Sequence, residues 1–229
     1  MSSKQAEQSI LLLAELAGLA HDLGKASKHF QQKLESATSQ GTIIKDETRH
    51  EWISTKLYQA LRQNSYNWER AWTVMAKDRT RYELPFQLAP HQHGLRSLLD
   101  VVDFAILTHH GLLGPKERTR CGANPDKTEH TQRAGGEGRL DVWKSAGKLP
   151  APLLEQLKVG TAELEALNQV YGGDHLGWQG MVLIVRASLI LADHEVSSHN
   201  KIQPKKQGRL YANTHKDAKG KTKLNQPDA

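Results

Sequence analysis

The chain has 229 residues, 31 Lys/Arg against 25 Asp/Glu for a formal net charge of +6, and a single cysteine, Cys121. That length allows one large domain or two small ones, and one thiol excludes both an intrachain disulfide framework and a cysteine-based zinc site. No apolar run approaches the roughly 18–20 residues of a spanning helix, and the start "MSSKQAEQ" carries no signal-peptide pattern, so a soluble, cytoplasmic protein is expected, with no membrane partner. The charge is unevenly placed. Residues 200–229 hold eight Lys/Arg and two acids, leaving 23 of each sign in residues 1–199. The excess belongs to a polar tail that reads either as a phosphate-contacting segment or as a solvated linker.

In chain order, "QSILLLAELAGLAHD" (8–22) has apolar residues at helical spacing and few β-branched ones, which predicts a buried helix. Gly24 is read as loosening the chain before "ASKHFQQKL" resumes a helix. Residues 36–48 are polar and turn-rich. From Arg49, "RHEWISTKLYQALRQ" restores helical periodicity with Trp52, Leu57 and Leu61 inward. Residues 66–93 are mixed and end in a predicted loop. "LRSLLDVVDFAILTHHG" is a strong helix whose stripe is Leu95, Leu98, Leu99, Val102, Ala105 and Ile106.

Residues 111–139, rich in glycine and mixed charge, read as a long loop of the kind that is functional or disordered. A helix is expected around 150–171, where proline stands near the start. "WQGMVLIVRASLILADHEVSS" reads as a buried helix ending in Asp193. No alternating strand pattern persists. The expected fold is all-α, with five to seven helices and a long Gly-rich loop.

The chain has 12 histidines, and their placement carries the information. His21–Asp22, His50, His109–His110 and Asp193 all fall at or near ends of predicted apolar helices, so their side chains can converge at one edge of a bundle. Imidazole with carboxylate suits divalent first-row metals. Each residue also has a plainer reading. A lone histidine near a helix end can serve the helix dipole, Asp193 can bond backbone groups at a terminus, and Lys25 can form an ion pair with a neighbouring Asp. Four separated helix ends carrying metal-type side chains favour the joint site. His130, His175, His199 and His215 default to surface roles, and His194 to packing or to orienting Asp193.

The run "HDLGK" at 21–25 resembles the signature of the HD metal-dependent phosphohydrolase superfamily. With "RHE" at 49–51, "THHG" at 108–111 and "ADH" at 192–194, the set resembles the HD nuclease domain of the type I CRISPR helicase–nuclease, and looks most like its type I-F branch. The resemblance implies residues 1–199 as an HD nuclease domain and 200–229 as a basic linker towards a helicase. It implies two divalent transition-metal ions (Mn, Fe, Co or Ni). Asp22 would bridge them, His21 and Asp193 would complete the first site, and His50, His109 and His110 would complete the second.

Such a centre hydrolyses phosphodiesters. The implied activity is endo- or exonucleolytic cleavage of single-stranded DNA, with Asp22 and Lys25 as catalytic residues and Lys25 placed to neutralise a phosphate oxygen. Lys116, Arg118 and Arg120 of the loop are candidate DNA contacts. Implied partners are a helicase domain, the CRISPR surveillance complex, and an adaptation complex or phage inhibitor. The family pattern includes a histidine well upstream of the HD pair. None precedes His21 here, so either the chain is a fragment that lost that element or another residue substitutes, with His29, His91 and His93 as the stand-ins to consider and none of them favoured. "KGKT" at 219–222 has His215 where a phosphate loop needs glycine, so no ATP site is expected. The competing readings are an HD phosphohydrolase of nucleotides or cyclic dinucleotides, and a non-catalytic recruitment module.

Overall fold

The computed structural model describes residues 3–39, 50–77, 97–111, 143–171, 175–199, 213–216 and 222–225. Seven α-helices lie within them: α1 (Ser3–Ala20), α2 (Lys28–Ser39), α3 (His50–Gln63), α4 (Trp68–Lys77), α5 (Leu98–Thr108), α6 (Ala151–Tyr171) and α7 (His175–His199). A 3-10 turn, Leu23–Ala26, joins α1 to α2. The body is therefore all-α, as expected. Two four-residue strands in the C-terminal tail, β1 (Asn213–Lys216) and β2 (Thr222–Asn225), pair antiparallel with His215 opposite Lys223. They lie along α2.

The core forms around α1 and α5, which pack on each other and on α7 and α6, while α3 packs on α5, α4 and the 3-10 turn. Leu13, Leu16, Ala17 and Ala20 of α1 meet Val101, Val102, Ala105 and Ile106 of α5, Leu57 and Leu61 of α3, Leu157 and Leu164 of α6 and Val185 of α7, all fully buried. Each large aliphatic side chain so buried contributes about 1.5–3 kcal/mol, and that burial fixes where the helix ends meet. A capping box starts α5. Ser97 Oγ accepts from Asp100 N at 3.2 Å, and Asp100 Oδ2 accepts from Ser97 N at 2.9 Å. On α2, Phe30 and Leu34 form a small buried cluster of their own.

Three local readings change. Helix α2 continues through Ser39 into the stretch read as turn-rich, and α4 lies inside the segment read as mixed. The signal for α4 was present: Trp68, Ala71, Trp72 and Met75, spaced i, i+3, i+4, i+7, are its buried face. Helix α7 runs to His199, so Asp193 sits in its interior and not at its end. The apolar run stops near Asp193, but the backbone continues because nothing there breaks a helix. The Gly-rich loop, Leu95, His91, His93, His130, Lys116, Arg118 and Arg120 lie outside the described residues.

Candidate metal centre

Helix α1 stops at Ala20, and His21–Asp22 form the corner before the 3-10 turn. Backbone and side-chain contacts clamp that turn from several directions. Gly24 N donates to Ser54 Oγ at 2.8 Å, and Gln31 Nε2 donates to Lys25 O at 2.7 Å. Ala146 N donates to Ala26 O at 2.9 Å and Lys28 N to Lys144 O at 2.7 Å, stitching residues 144–146 to the chain just beyond the turn. The glycine does not loosen anything. A Cβ on Gly24 would stand 2.1 Å from His50 O and 2.8 Å from Ser54 N. Glycine is needed so that the turn can touch the first turn of α3, and that contact carries His50 to Asp22.

His50 is the first residue of α3, and His109–His110 directly follow α5. Arg186 of α7 donates through Nε to Thr108 O at 3.0 Å, tying the end of α5 to the helix that holds Asp193. His21 Nε2 lies 3.4 Å from Asp22 Oδ2 and 3.8 Å from Asp193 Oδ1, and His50 Nε2 lies 3.5 Å from Asp22 Oδ1. The His109 ring is 5.1 Å from that of His21, 6.0 Å from that of His50 and 4.1 Å from that of His110. His50 and His110 rings are 5.1 Å apart. The six histidines and aspartates singled out in the sequence therefore meet at one corner, between the ends of α1 and α5, the start of α3 and the middle of α7.

The ring tautomers follow from the partners. Gly18 O lies 2.7 Å from His21 Nδ1 and Ile106 O 2.7 Å from His109 Nδ1. A carbonyl only accepts, so each Nδ1 carries a hydrogen, and in the neutral ring Nε2 is the lone-pair donor. Buried Glu51 places Oε2 3.4 Å from His50 Nδ1, which favours the same tautomer there. The buried atoms Asp22 Oδ1, His50 Nε2 and His109 Nε2 have no hydrogen-bond partner among the described residues. Buried polar atoms are costly unless satisfied. Three of them at one corner, all with metal-ligating chemistry, fit a divalent cation.

Two ligand groups can be drawn, each with its donor atoms within 4.8 Å of one another: His50, His109 and His110, and His21, Asp22 and His109. His109 belongs to both. With Nδ1 committed to Ile106 O, only its Nε2 is available, so His109 serves one cation at a time. That one atom lies within reach of His50 and His110 in one group and of His21 and Asp22 in the other.

Charge states suit the same purpose. Burial works to raise the Asp22 pKa, but His21, Lys25 and His50 outweigh it and the carboxyl titrates below the usual range. Asp193 is also held low, chiefly by His21, whose Nε2 lies 3.8 Å from its Oδ1. Burial holds His50 well below the ordinary imidazole value and lowers His109 to about 4. Burial acts to lower His21 too, but Asp193 and Asp22 prevail and its pKa rises. Near neutrality the corner thus presents ionised carboxylates and neutral His50 and His109, the forms that bind metal.

Lys25 is buried and donates through Nζ to Asp22 Oδ2 at 2.8 Å. In this arrangement the ion pair takes up the ammonium that the sequence set against a phosphate oxygen. His194 is exposed. Glu51, Gln31, Ser54 and Arg186, which hold the site residues in place, escaped the sequence reading. Only Glu51, beside His50 in "RHE", had a local signal.

A family model described as "Cas3, HD domain" matches residues 1–199. The chain belongs to the Cas3 HD-domain family. Among curated relatives, it is 33% identical over 120 residues to "CRISPR-associated nuclease/helicase Cas3 subtype I-F/YPEST" of Pseudomonas aeruginosa (strain UCBPP-PA14), a match that covers 46% of this chain. It spans 11% of that relative's length. No solved structure matches. In this Cas3 HD domain the motif "HDLGK" is the corner, clamp and glycine contact described above. Among the described residues no helix is long and apolar enough to cross a membrane.

Proposed function

We propose that this Cas3 HD domain is a metal-dependent phosphodiesterase that cleaves single-stranded DNA, as the nuclease part of a CRISPR interference helicase–nuclease. The observation that carries the reading is the convergence of Asp22 Oδ1, His50 Nε2 and His109 Nε2 as buried, unpartnered ligand atoms within two overlapping ligand groups. His21, Asp22 and Asp193 would hold one divalent ion, and His50, His109, His110 and Asp22 a second, with manganese, iron, cobalt or nickel as candidates. Divalent ions at such a site polarise the phosphate and supply an activated water near neutral pH.

The chain's own residues divide the remaining work. Asp22 presents one oxygen towards His50 and the other towards His21 and Lys25, so a single carboxylate can address both ligand groups. Lys25 fixes that carboxylate's orientation and holds it ionised. Glu51, Ile106 O and Gly18 O hold the hydrogens on the imidazoles they face, so that Nε2 points inward. Lys116, Arg118 and Arg120 remain proposed DNA contacts. A fused or associated helicase, the surveillance complex, and an adaptation complex or phage inhibitor remain proposed partners, the first on the strength of the relative's name.

The test uses purified protein with manganese, cobalt or nickel. Single-stranded circular DNA is expected to be degraded, and saturating metal to raise the melting temperature, since a ligand at 100 times its Kd adds about 2.7 kcal/mol. Asp22→Ala is expected to abolish cleavage and most of the thermal shift. Bound metal with intact DNA under every ion would refute nuclease action. Hydrolysis of deoxynucleotides or cyclic dinucleotides instead would assign the site to a small-molecule phosphohydrolase.

A further inference from the structure

Asp22 and His109 both reach the two sides of the metal corner, but they differ in what they can offer there. The Asp22 carboxylate has two oxygens, with Oδ1 3.5 Å from His50 Nε2 and Oδ2 3.4 Å from His21 Nε2. His109 offers one ring nitrogen. Its Nδ1 donates to Ile106 O at 2.7 Å, and a carbonyl cannot take over that hydrogen, so the ring cannot bridge two cations through both nitrogens. Turning the ring over would break that bond inside a packed site. The residue is 4% exposed, and its ring lies 4.1 Å from that of His110 and 5.1 Å from that of His21. The lone pair on Nε2 therefore serves either His50 and His110 or His21 and Asp22, the two sets whose donor atoms lie within 4.8 Å of it.

Contacts already made within the chain decide which set takes it. Asp22 Oδ1, His50 Nε2 and His109 Nε2 are buried without hydrogen-bond partners among the described residues, so a cation between them satisfies all three at once. His110 completes that set from the exposed side. On the other side, Asp22 Oδ2 accepts from Lys25 Nζ at 2.8 Å, and His21 Nε2 stands 3.4 Å from the same oxygen and 3.8 Å from Asp193 Oδ1. The two carboxylates there attract a cation, but the buried ammonium of Lys25 neutralises one of them and repels the newcomer. We propose that His109 makes the two sides of the metal corner load in order. The first divalent ion takes His109 with His50, His110 and Asp22 Oδ1, and the second is left to His21, Asp22 Oδ2 and Asp193 with lower affinity. The order rests on the metal-centre reading above and deepens it: one imidazole divides the corner into a tight site and an exchangeable one.

The experiment titrates the full chain, freed of metal and without nucleic acid, with zinc, a diamagnetic ion that imidazole suits. Calorimetry of the wild type is expected to show two steps separated by at least about 100-fold, the upper end of what losing a group that only supports a ligand costs. His109→Gln should close that gap by weakening the tighter step while the weaker one stays where it is, since the second ion has no share of His109 while the first is bound. Asp193→Asn should weaken the second step alone. In wild type with isotope-labelled histidines, the first equivalent should move the Nε2 resonances of His50, His109 and His110, and the second that of His21. That measurement needs no variant to fold.

A single step, two steps of equal strength, or no zinc bound overturns the loading order. So does a His109→Gln chain in which both steps weaken alike or only the weaker one does, and so does a His21 resonance that moves together with that of His109 at the first equivalent. Both steps as expected, with single-stranded DNA left intact under saturating manganese, cobalt or nickel, leave the order standing and remove the nuclease reading.

Discussion

At Gly24 the turn after α1 presses so closely on α3 that a methyl group would stand 2.1 Å from His50 O and 2.9 Å from Ile53 Cβ. Neither atom can swing aside, since one is helix backbone and the other a buried branch point. Gly24→Ala should therefore cost about 3 kcal/mol by overpacking and push His50 away from Asp22, which a denaturation curve and a metal titration will read together. Gly160→Ala is the informative comparison. Its Cβ meets Leu16 Cδ2 at 2.9 Å, the far end of a flexible side chain, and gains about 1 kcal/mol of helix propensity. A Gly24 variant as stable as the wild type, with unchanged metal affinity, would show that the contact does not position the site. The sequence names this glycine, but its partner lies 26 positions away, so the reason for it could not be read locally.

Between elements, the α3–α5 contact contains a buried ion pair that takes no part in the metal corner. Arg62 donates through its Nη2 to Asp103 Oδ2 at 2.9 Å, and Gln59 Nε2 donates to the same oxygen at 3.0 Å. Asp103 is almost completely buried, and burial raises its pKa despite Arg62. Arg62→Ala strands that carboxyl and should cost about 3–5 kcal/mol in urea denaturation, while Arg62→Met with Asp103→Leu should recover most of the loss. An Arg62→Ala loss under 1 kcal/mol would mean that water reaches Asp103. Helical periodicity in "DVVDFAIL" identified the buried stripe of α5, yet an acid within it has no local partner to name. The partner stands 41 residues earlier, on a helix brought alongside only by packing.

For the molecule as a whole, the metal corner makes stability depend on pH. His50 and His109 have lowered pKa values, so below 6.5 the unfolded chain binds their protons before the folded one does. Stability from these two is present above 6.5 and lost as pH falls towards the folded values, about 4 for His109. At 1.36 kcal/mol per unit, His109 alone contributes about 3 kcal/mol at most. The raised pKa of His21 acts oppositely, adding stability that is full below 6.5 and lost as pH rises through its folded value. Two lowered groups against one raised leave a net loss on acidification. In chelator, urea midpoints should fall between pH 7 and pH 5, and His109→Gln should flatten the dependence. A pH-independent midpoint in the wild type would refute this charge assignment.

The sequence alone determined the helical class, the main buried faces and the identity of the metal-type residues, because helix formation and side-chain chemistry are local properties. Leu57, Leu61, Val102, Ala105 and Ile106 were legible as core from spacing alone, and His21, Asp22, His50, His109, His110 and Asp193 from residue type and position. The same order of motifs carried the family resemblance. Tertiary structure decided what spacing cannot encode. It placed Asp193 inside α7, paired Lys25 with Asp22, gave His109 to both ligand groups, made Gly24 a contact point, and laid the basic tail as a hairpin along α2. Each of these is a relation between segments far apart in the chain, set by which helix faces bury apolar surface together, and no local pattern of residues contains it.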